Sequence, residues 1–271
     1  MACVILSVVG PEQSDSCESK KVYEPHCRET KMLSVVLSKL SADADTEVRK
    51  IDGLTTFLNP YSYMILRNSS FDLSEFDSIC VDSFYFAKLF NIIFGTKIGR
   101  LSFDFTSLAS PVLQHIIEND RSVWFVGSTE EVIQEFTTKI RKRYPQLHVI
   151  GFGHGHFSSD EQRESAVKHI ASRAPEYLIC GMGAGNQEKF LAELRQSGWK
   201  GRAFTCGGFF HQEASTYKNY YPKFFDKTNT RWLYRIMDEP KLMFRYGFAY
   251  PIAICLFLID CVSLKFAQDE P

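Results

Sequence analysis

No excess of either charge marks this chain: 31 Lys and Arg stand against 32 Asp and Glu over 271 residues, a net charge of −1. A global attraction to nucleic acid is thereby excluded, and recognition of any charged ligand has to be local. The eight cysteines, at 3, 17, 27, 80, 180, 206, 255 and 261, contain no Cys-x-x-Cys pair, which removes the usual zinc and redox spacings. Cys80 and Cys180 close short apolar runs, where a thiol acts as a small hydrophobe. No basic residue precedes the apolar run VILSVV and no small-residue cleavage site follows it. A secretory signal is therefore not expected, and reduced cysteines in the cytosol are. Internal repeats and low-complexity tracts are lacking too. With 45% apolar, 14% aromatic and 23% charged residues, disordered, collagen-like and disulfide-scaffold classes drop out. What is left is a chain long enough for one sizeable core with appendages, or at most two domains.

Residues 11–31 are polar and mixed in charge, which predicts a surface linker within an N-terminal polar segment, 1–31. MLSVVLSKL at 32–40 spaces its apolar residues helically. Short apolar runs then predict strands at 55–58, 78–81, 122–126, 147–151, 176–180 and 202–206. Helical periodicity fills 85–94, 106–118, 129–143, 159–173 and 186–197 between them. Strands separated by helices of that length imply right-handed βαβ units, hence an α/β, Rossmann-like domain over 32–220 with a mostly parallel sheet and helices on both faces. Residues 221–271 differ, forming a C-terminal helical appendage. Lys223, Lys227, Arg231, Arg235, Lys241 and Arg245 face only Asp226, Asp238 and Glu239 over 223–246, and fourteen uncharged residues follow, Tyr246 to Ile259. Interrupted by Pro251 and Asp260, this run is short for a membrane span. An interfacial helix with a basic flank and an ordinary packed helix over Phe248 to Leu258 are the two readings. The first predicts that a chain ending at Glu239 leaves the membrane still folded; the second, that it melts early.

In such a sheet, ligands meet the carboxyl ends of strands, where loops enter helix N-termini. Gly127-Ser128-Thr129 before Glu130 and Glu131 is explained by a helix cap alone. Gly181, Gly183 and Gly185 lie between a strand and a helix and let the backbone approach a phosphate, yet they are not G-x-G-x-x-G, and no ribose-binding acid follows. Gly153-His154-Gly155-His156 offers two imidazoles without a third ligand at recognisable spacing, so a structural or substrate-lining role outweighs a metal. Asp82 follows SICV and sits at a strand's carboxyl end, either as a general base or as a helix cap.

Taken together, VWFVGSTEEV, RKRYPQLHVIGFGHGHF and ICGMGAGNQEKF resemble the WecG/TagA/CpsF family of glycosyltransferases in order and spacing. The family's Gly-x-Pro-Lys-Gln-Glu reads Gly183-Ala184-Gly185-Asn186-Gln187-Glu188 here. Gly207-Gly208, Trp232-Leu233-Tyr234-Arg235 and Glu239-Pro240 extend the likeness to about 190 residues, from Thr55 to Tyr246. The chain departs from the pattern at four places: Thr-x-Asn reads Phe57-Leu58-Asn59, Asp-Gly reads Asp82-Ser83, Gly-x-Asp after Arg100 reads Phe103-Asp104-Phe105, and the Asp after the glycine pair is His211.

The resemblance implies transfer of an N-acetylmannosamine-type or related sugar, a hexose or uronic acid, from a UDP-sugar to a polyprenyl-diphosphate-linked acceptor. It implies inversion with Asp82 as base, no cofactor and no metal, in exopolysaccharide, capsule or wall-polymer synthesis. It places the protein in the cytoplasm, peripherally on the inner face of the membrane. Asn59, Arg100, Gly183, Gly185, Gln187, Glu188, Arg235 and Arg245 are the implied substrate-binding residues, with Arg100, Arg235 and Arg245 offsetting the diphosphate. A homo-oligomer is left open. The competing readings are a catalytically degenerate sugar-nucleotide-binding or partner protein of the same pathway, and a Rossmann oxidoreductase.

Overall fold

The computed structural model describes residues 24–69, 71–215 and 242–269. Six strands, β1 (Gly53–Leu58), β2 (Ser78–Val81), β3 (Ser122–Gly127), β4 (His148–Gly153), β5 (Tyr177–Gly181) and β6 (Arg202–Thr205), build one sheet in the order β2-β1-β6-β5-β3-β4. Every pairing is parallel. All six lie within two residues of the expected bounds, because a parallel sheet is covered on both faces and its strands read as near-continuous apolar runs. Four of them, β1, β2, β5 and β6, are buried at every residue.

Strand alternation sends side chains to two separate cores. Leu54, Leu58, Val81, Val126 and Leu178 meet α1 (Glu24–Ser38), α3 (Pro60–Asn68), α4 (Phe84–Phe94), α7 (Asp160–Arg173) and α8 (Asn186–Gln196) on one face. Phe57, Val123, Phe125, Ile179 and Phe204 meet α2 (Ala44–Arg49), α5 (Ala109–Glu118), α6 (Glu130–Arg143) and α9 (Phe209–Ser215) on the other. The helix after β1 thus lies on one face and the helix after β3 on the opposite one, which parts the loops and opens a crevice between them at the carboxyl end of the sheet.

Three differences from the sequence reading have physical causes. Residues 24–31 belong to α1 instead of a linker: Leu33 and Val36 are fully buried in the first core, and this docking carries the helix into a polar stretch that propensity alone does not favour. Helices α2, α3 and α9 are six, nine and seven residues long, too short to show a helical period. The C-terminal run is one continuous path, Leu242–Phe244, a widened π-helical segment Arg245–Ala249, and α10 (Tyr250–Asp269). Pro251 does not break it. Lacking an N–H and crowding the carbonyl four residues back, Pro251 is accommodated by the wider turn, in which the Tyr250 N–H reaches Arg245.

Helix α10 packs along α1 and α3. It buries Ala253, Phe257, Asp260, Cys261 and Leu264 while leaving Ile252, Leu258, Ile259, Val262 and Phe266 exposed, as is Phe248 in the segment before it. The packed-helix reading therefore describes one of its faces. Gly247–Ala267 is, by length and composition alone, long and apolar enough to cross a membrane, longer than the sequence reading allowed. The boundary expected near residue 220 and the motif at 232–235 lie outside the described residues.

Candidate active site

A cavity of about 1000 Å³ opens over the carboxyl ends of the strands. Its wall takes in Asn59 after β1, Asp82 after β2, Ser128 after β3, His156 after β4, Met182 to Ala184 after β5 and Cys206 to Gly208 after β6, and the C-terminal segment covers it with Arg245, Gly247 and Tyr250.

Asp82 is placed by its own backbone, whose N–H donates to Leu58 O at 2.7 Å as the last rung between β2 and β1. The cap of α4 falls to the next residue: Ser83 Oγ accepts from the Phe86 N–H at 3.3 Å. The Asp82 carboxylate is thus not used as a helix cap. It is half-buried against Arg100, which donates to it from Nε at 3.2 Å. Arg100 Nη2 also donates to Asp104 Oδ2 at 2.9 Å and to Ser102 Oγ at 2.7 Å. Burial alone would lower the Arg100 pKa, but the two carboxylates more than offset it and hold the guanidinium firmly charged. The group Asp82–Arg100–Asp104 carries a formal charge of −1. This corrects the expected role of Arg100: it lines the cavity, but its fork is taken up by protein carboxylates and cannot serve chiefly to neutralise a diphosphate. Asp104, which the sequence showed only as an acid one place out of register, completes the group, its Oδ1 accepting from the Thr106 N–H and hydroxyl.

On the opposite wall, Gly183 and Gly185 adopt φ of +81° and +87°, which bends the chain from β5 into the first turn of α8. Gly183 and Ala184 line the cavity, whereas Gly185 lies behind them with its N–H donated to Glu188 Oε2 at 2.7 Å. Glu188 is completely buried and also lies outside the cavity wall; its Oε1 accepts from Thr56 Oγ1 at 2.7 Å and Gln187 Nε2 at 3.0 Å. Burial raises its pKa, partly offset by those donors. Gln187 reaches the wall, and its Oε1 accepts from the Gly207 N–H at 3.1 Å. Of the family-like hexapeptide, then, Gln187 ties the two glycine loops together, and Gly185 and Glu188 support them from beneath, outside the cavity wall. Asn59 lines the cavity while its Oδ1 caps α3 through the Ser62 N–H, so what it can offer a ligand is its Nδ2 amide.

Arg245 lies at the cavity mouth with its guanidinium 4.3 Å from the Tyr61 ring centroid, and its Nε is buried with no hydrogen-bond partner among the described residues. Arg235 lies outside the described residues. His156 lines the cavity, as the substrate-lining reading allowed; His154 lies outside it with its ring tilted against that of Phe157, centroids 5.8 Å apart. Thr129 caps α6 as expected, and Ser128 beside it lines the cavity at φ +58°. Burial holds the Cys206 thiol well above its ordinary pKa, which keeps it a thiol instead of a nucleophilic thiolate. Sequence reasoning missed Ser102, Tyr61 and Tyr250. The first was readable only as a hydroxyl two residues beyond Arg100, and the tyrosines carried no signal of their own. Two family departures meet in space: Phe57 and Phe103 pack edge to face, ring centroids 6.3 Å apart, under the cavity. Among the described residues no cluster of three metal-ligating side chains occurs.

Residues 29–267 match the glycosyl transferase WecG/TagA/CpsF family. The chain is 34% identical over 224 residues, 83% of its length and 93% of the relative's, to UDP-Gal:alpha-D-GlcNAc-diphosphoundecaprenol beta-1,4-galactosyltransferase of Shigella boydii. It is 27% identical over 188 residues, 69% of its length and 68% of the relative's, to N-acetylglucosaminyldiphosphoundecaprenol N-acetyl-beta-D-mannosaminyltransferase of Bacillus spizizenii. Against the enzyme of that same name from Staphylococcus aureus, identity is 30% over 152 residues, 56% of this chain and 57% of the relative. With a match spanning most of its length, and a strand-end carboxylate in the one large cavity described, the chain belongs to the WecG/TagA/CpsF glycosyl transferase family and is a glycosyltransferase.

Proposed function

We propose that the protein transfers a hexose from a UDP-sugar to a polyprenyl-diphosphate-linked sugar, with inversion and with Asp82 as the base. The observation that carries this is Asp82 itself, a carboxylate relieved of capping, facing the cavity and aligned by Arg100. Asp82 takes the proton of the acceptor hydroxyl as its oxygen bonds to the anomeric carbon. The bond from that carbon to the UDP oxygen breaks, and UDP leaves with the electron pair. The backbone at Gly183 and Ala184, at the N-terminus of α8, faces the departing diphosphate with oriented dipoles. Arg245, whose Nε has no hydrogen-bond partner among the described residues, supplies the positive charge that Arg100 cannot, and supplies it to the lipid-linked diphosphate of the acceptor. Arg235 stands as a second candidate for that role. No metal takes part in this scheme. The donor sugar we favour is galactose or a near relative, on the 34% likeness to the galactosyltransferase over almost its whole length; an N-acetylmannosamine-type donor follows from the mannosaminyltransferases.

The enzyme works from the cytoplasmic side with its C-terminal segment on the membrane. Met243, Phe244, Phe248 and Ile252 are all more than half exposed and stand beside Arg245 at the mouth through which a lipid diphosphate would enter. Purified protein with a panel of UDP-sugars and a short-chain prenyl-diphosphate N-acetylglucosamine, read by UDP release and mass spectrometry of the product, tests the reaction. Disaccharide from one donor is expected; binding of UDP without turnover of any donor would leave a non-catalytic sugar-nucleotide binder instead. Flotation with anionic liposomes tests the surface. The full chain is expected to float, and serine at Phe244, Phe248 and Ile252 to leave it in the pellet with an unchanged melting temperature.

A further inference from the structure

Helix α10 is apolar along most of its length, yet Asp260 sits on its buried face, almost wholly removed from solvent. Its carboxylate is fully engaged: Arg67 donates from Nε to Oδ2 at 2.8 Å and from Nη2 to Oδ1 at 2.9 Å, and Tyr63 Oη donates to Oδ2 at 2.6 Å. Burial and the adjacent carboxylate push the Tyr63 pKa far up, so its proton stays in that bond. Tyr63 and Arg67 are one turn apart on α3 and present a fork to a single point on α10. One turn earlier on α10, Phe257 is wedged edge to face against Tyr63 at 5.3 Å and Phe86 at 4.9 Å.

An apolar seam alone fixes burial but not register, since sliding or rotating one greasy helix on another exchanges similar contacts. A bidentate guanidinium with a third donor permits only one register. The same α3 carries Tyr61, on which Arg245 rests. Two points of the C-terminal segment, Arg245 and Asp260, are therefore referenced to one short helix, whose first turn already lines the cavity.

We infer that Asp260, clasped by Tyr63 and Arg67, is a positioning residue: it fixes the register of the C-terminal helix so that Arg245 is held over the cavity mouth as a diphosphate ligand. The inference rests on the reading of Arg245 given above. Such a pin contributes less to net stability than to uniqueness of placement, because desolvating the ions cancels much of their attraction.

Calorimetric binding of farnesyl diphosphate, which presents a diphosphate on an apolar chain, tests this with the full chain. Arg245→Ala and Asp260→Ala are each expected to weaken binding by about tenfold with UDP affinity unchanged. The double variant is expected to bind no worse than Arg245→Ala alone, because the pin acts through that arginine. Hydrogen exchange at 245–250 should quicken in Asp260→Ala. Since Asp260→Ala removes the carboxylate that Arg67 and Tyr63 share, the triple variant Asp260→Leu, Arg67→Met, Tyr63→Phe serves as the folding control, expected to melt like the wild type and still bind farnesyl diphosphate weakly. Full recovery of binding in the triple variant, additive losses in the double, or unchanged exchange at 245–250 would each overturn the positioning role. If Arg245→Ala binds as tightly as wild type, the diphosphate role of Arg245 fails instead, and the exchange measurement alone then judges whether the pin sets the register.

Discussion

Two arginines, each held by carboxylates, stand at opposite ends of the same sheet. Arg202, on the first residue of β6, is fully buried and pairs with Glu47 at 2.7 Å; Glu47 in turn accepts from Ser41, Thr55 and Lys50. Burial lowers the Arg202 pKa more than Glu47 restores it. Arg100, at the carboxyl end, is only partly buried between Asp82 and Asp104, and there the carboxylates win and raise the pKa. Glu47 makes its bonds within the protein and has no path to a ligand, whereas Asp82 borders a cavity. The same pair of side-chain types thus does two jobs, and its position along the strands decides which: the amino ends are closed over by α2, while the carboxyl ends feed the loops that leave the crevice open.

The sharpest test of this contrast removes the carboxylate at each end in turn. Asp82→Asn is expected to lose about a hundredfold or more in turnover, the range for a general base, with melting temperature and UDP affinity unchanged. Near-normal turnover would remove Asp82 from the chemistry and make the two clusters alike. Glu47→Ala should do the reverse: leaving Arg202 buried without its partner costs about 3–5 kcal/mol of stability, seen as an earlier urea midpoint, while turnover per folded molecule holds.

Acid should find the amino-end cluster as well. Burial opposes the Glu47 charge, but Lys50, Ser41, Arg202 and Thr55 together bring its pKa down from 4.5 to about 2. A carboxyl depressed on folding gives stability that is complete above pH 4.5 and is lost as pH falls toward 2; two to three units correspond to about 3 kcal/mol. A Glu47→Gln variant should show a flatter stability profile over that window in acid titrations followed by circular dichroism. A profile as steep as wild type would assign the acid sensitivity elsewhere.

The smallest effect expected is at Gln187, which lies between these extremes, nearly buried yet on the cavity wall. Removing its bond to the Gly207 N–H in Gln187→Ala should cost about 1 kcal/mol of stability and weaken UDP binding several-fold, by loosening both glycine loops. Unchanged UDP affinity by calorimetry would make it a purely structural tie.

Much of this was written in the chain itself. Five of the six strands could be placed because burial on both faces makes each one a short apolar run, β4 being only partly buried, and the family likeness at 122–188 rested on consecutive residues whose backbone needs, such as the left-handed φ of Gly183 and Gly185, are local. Asp82 was legible for the same reason, as the first polar residue after an apolar strand. Its exemption from capping was not, because whether Asp82 or Ser83 caps α4 depends on the backbone path by which the chain leaves the sheet.

Tertiary structure alone decided three things. It joined Arg100 to Asp82 across 18 residues and so gave the arginine expected at a phosphate to carboxylates of the protein itself. It withdrew Gly185 and Glu188 beneath the loop they were expected to present. It also gave α10 two faces, one pinned through Asp260 to a helix 193 residues away in sequence and one left apolar and open. Composition counts the greasy residues of that helix. Which of them find a partner is a property of the surface they meet, and that surface is assembled from α1, α3 and α4, segments far apart in the sequence that only folding brings together.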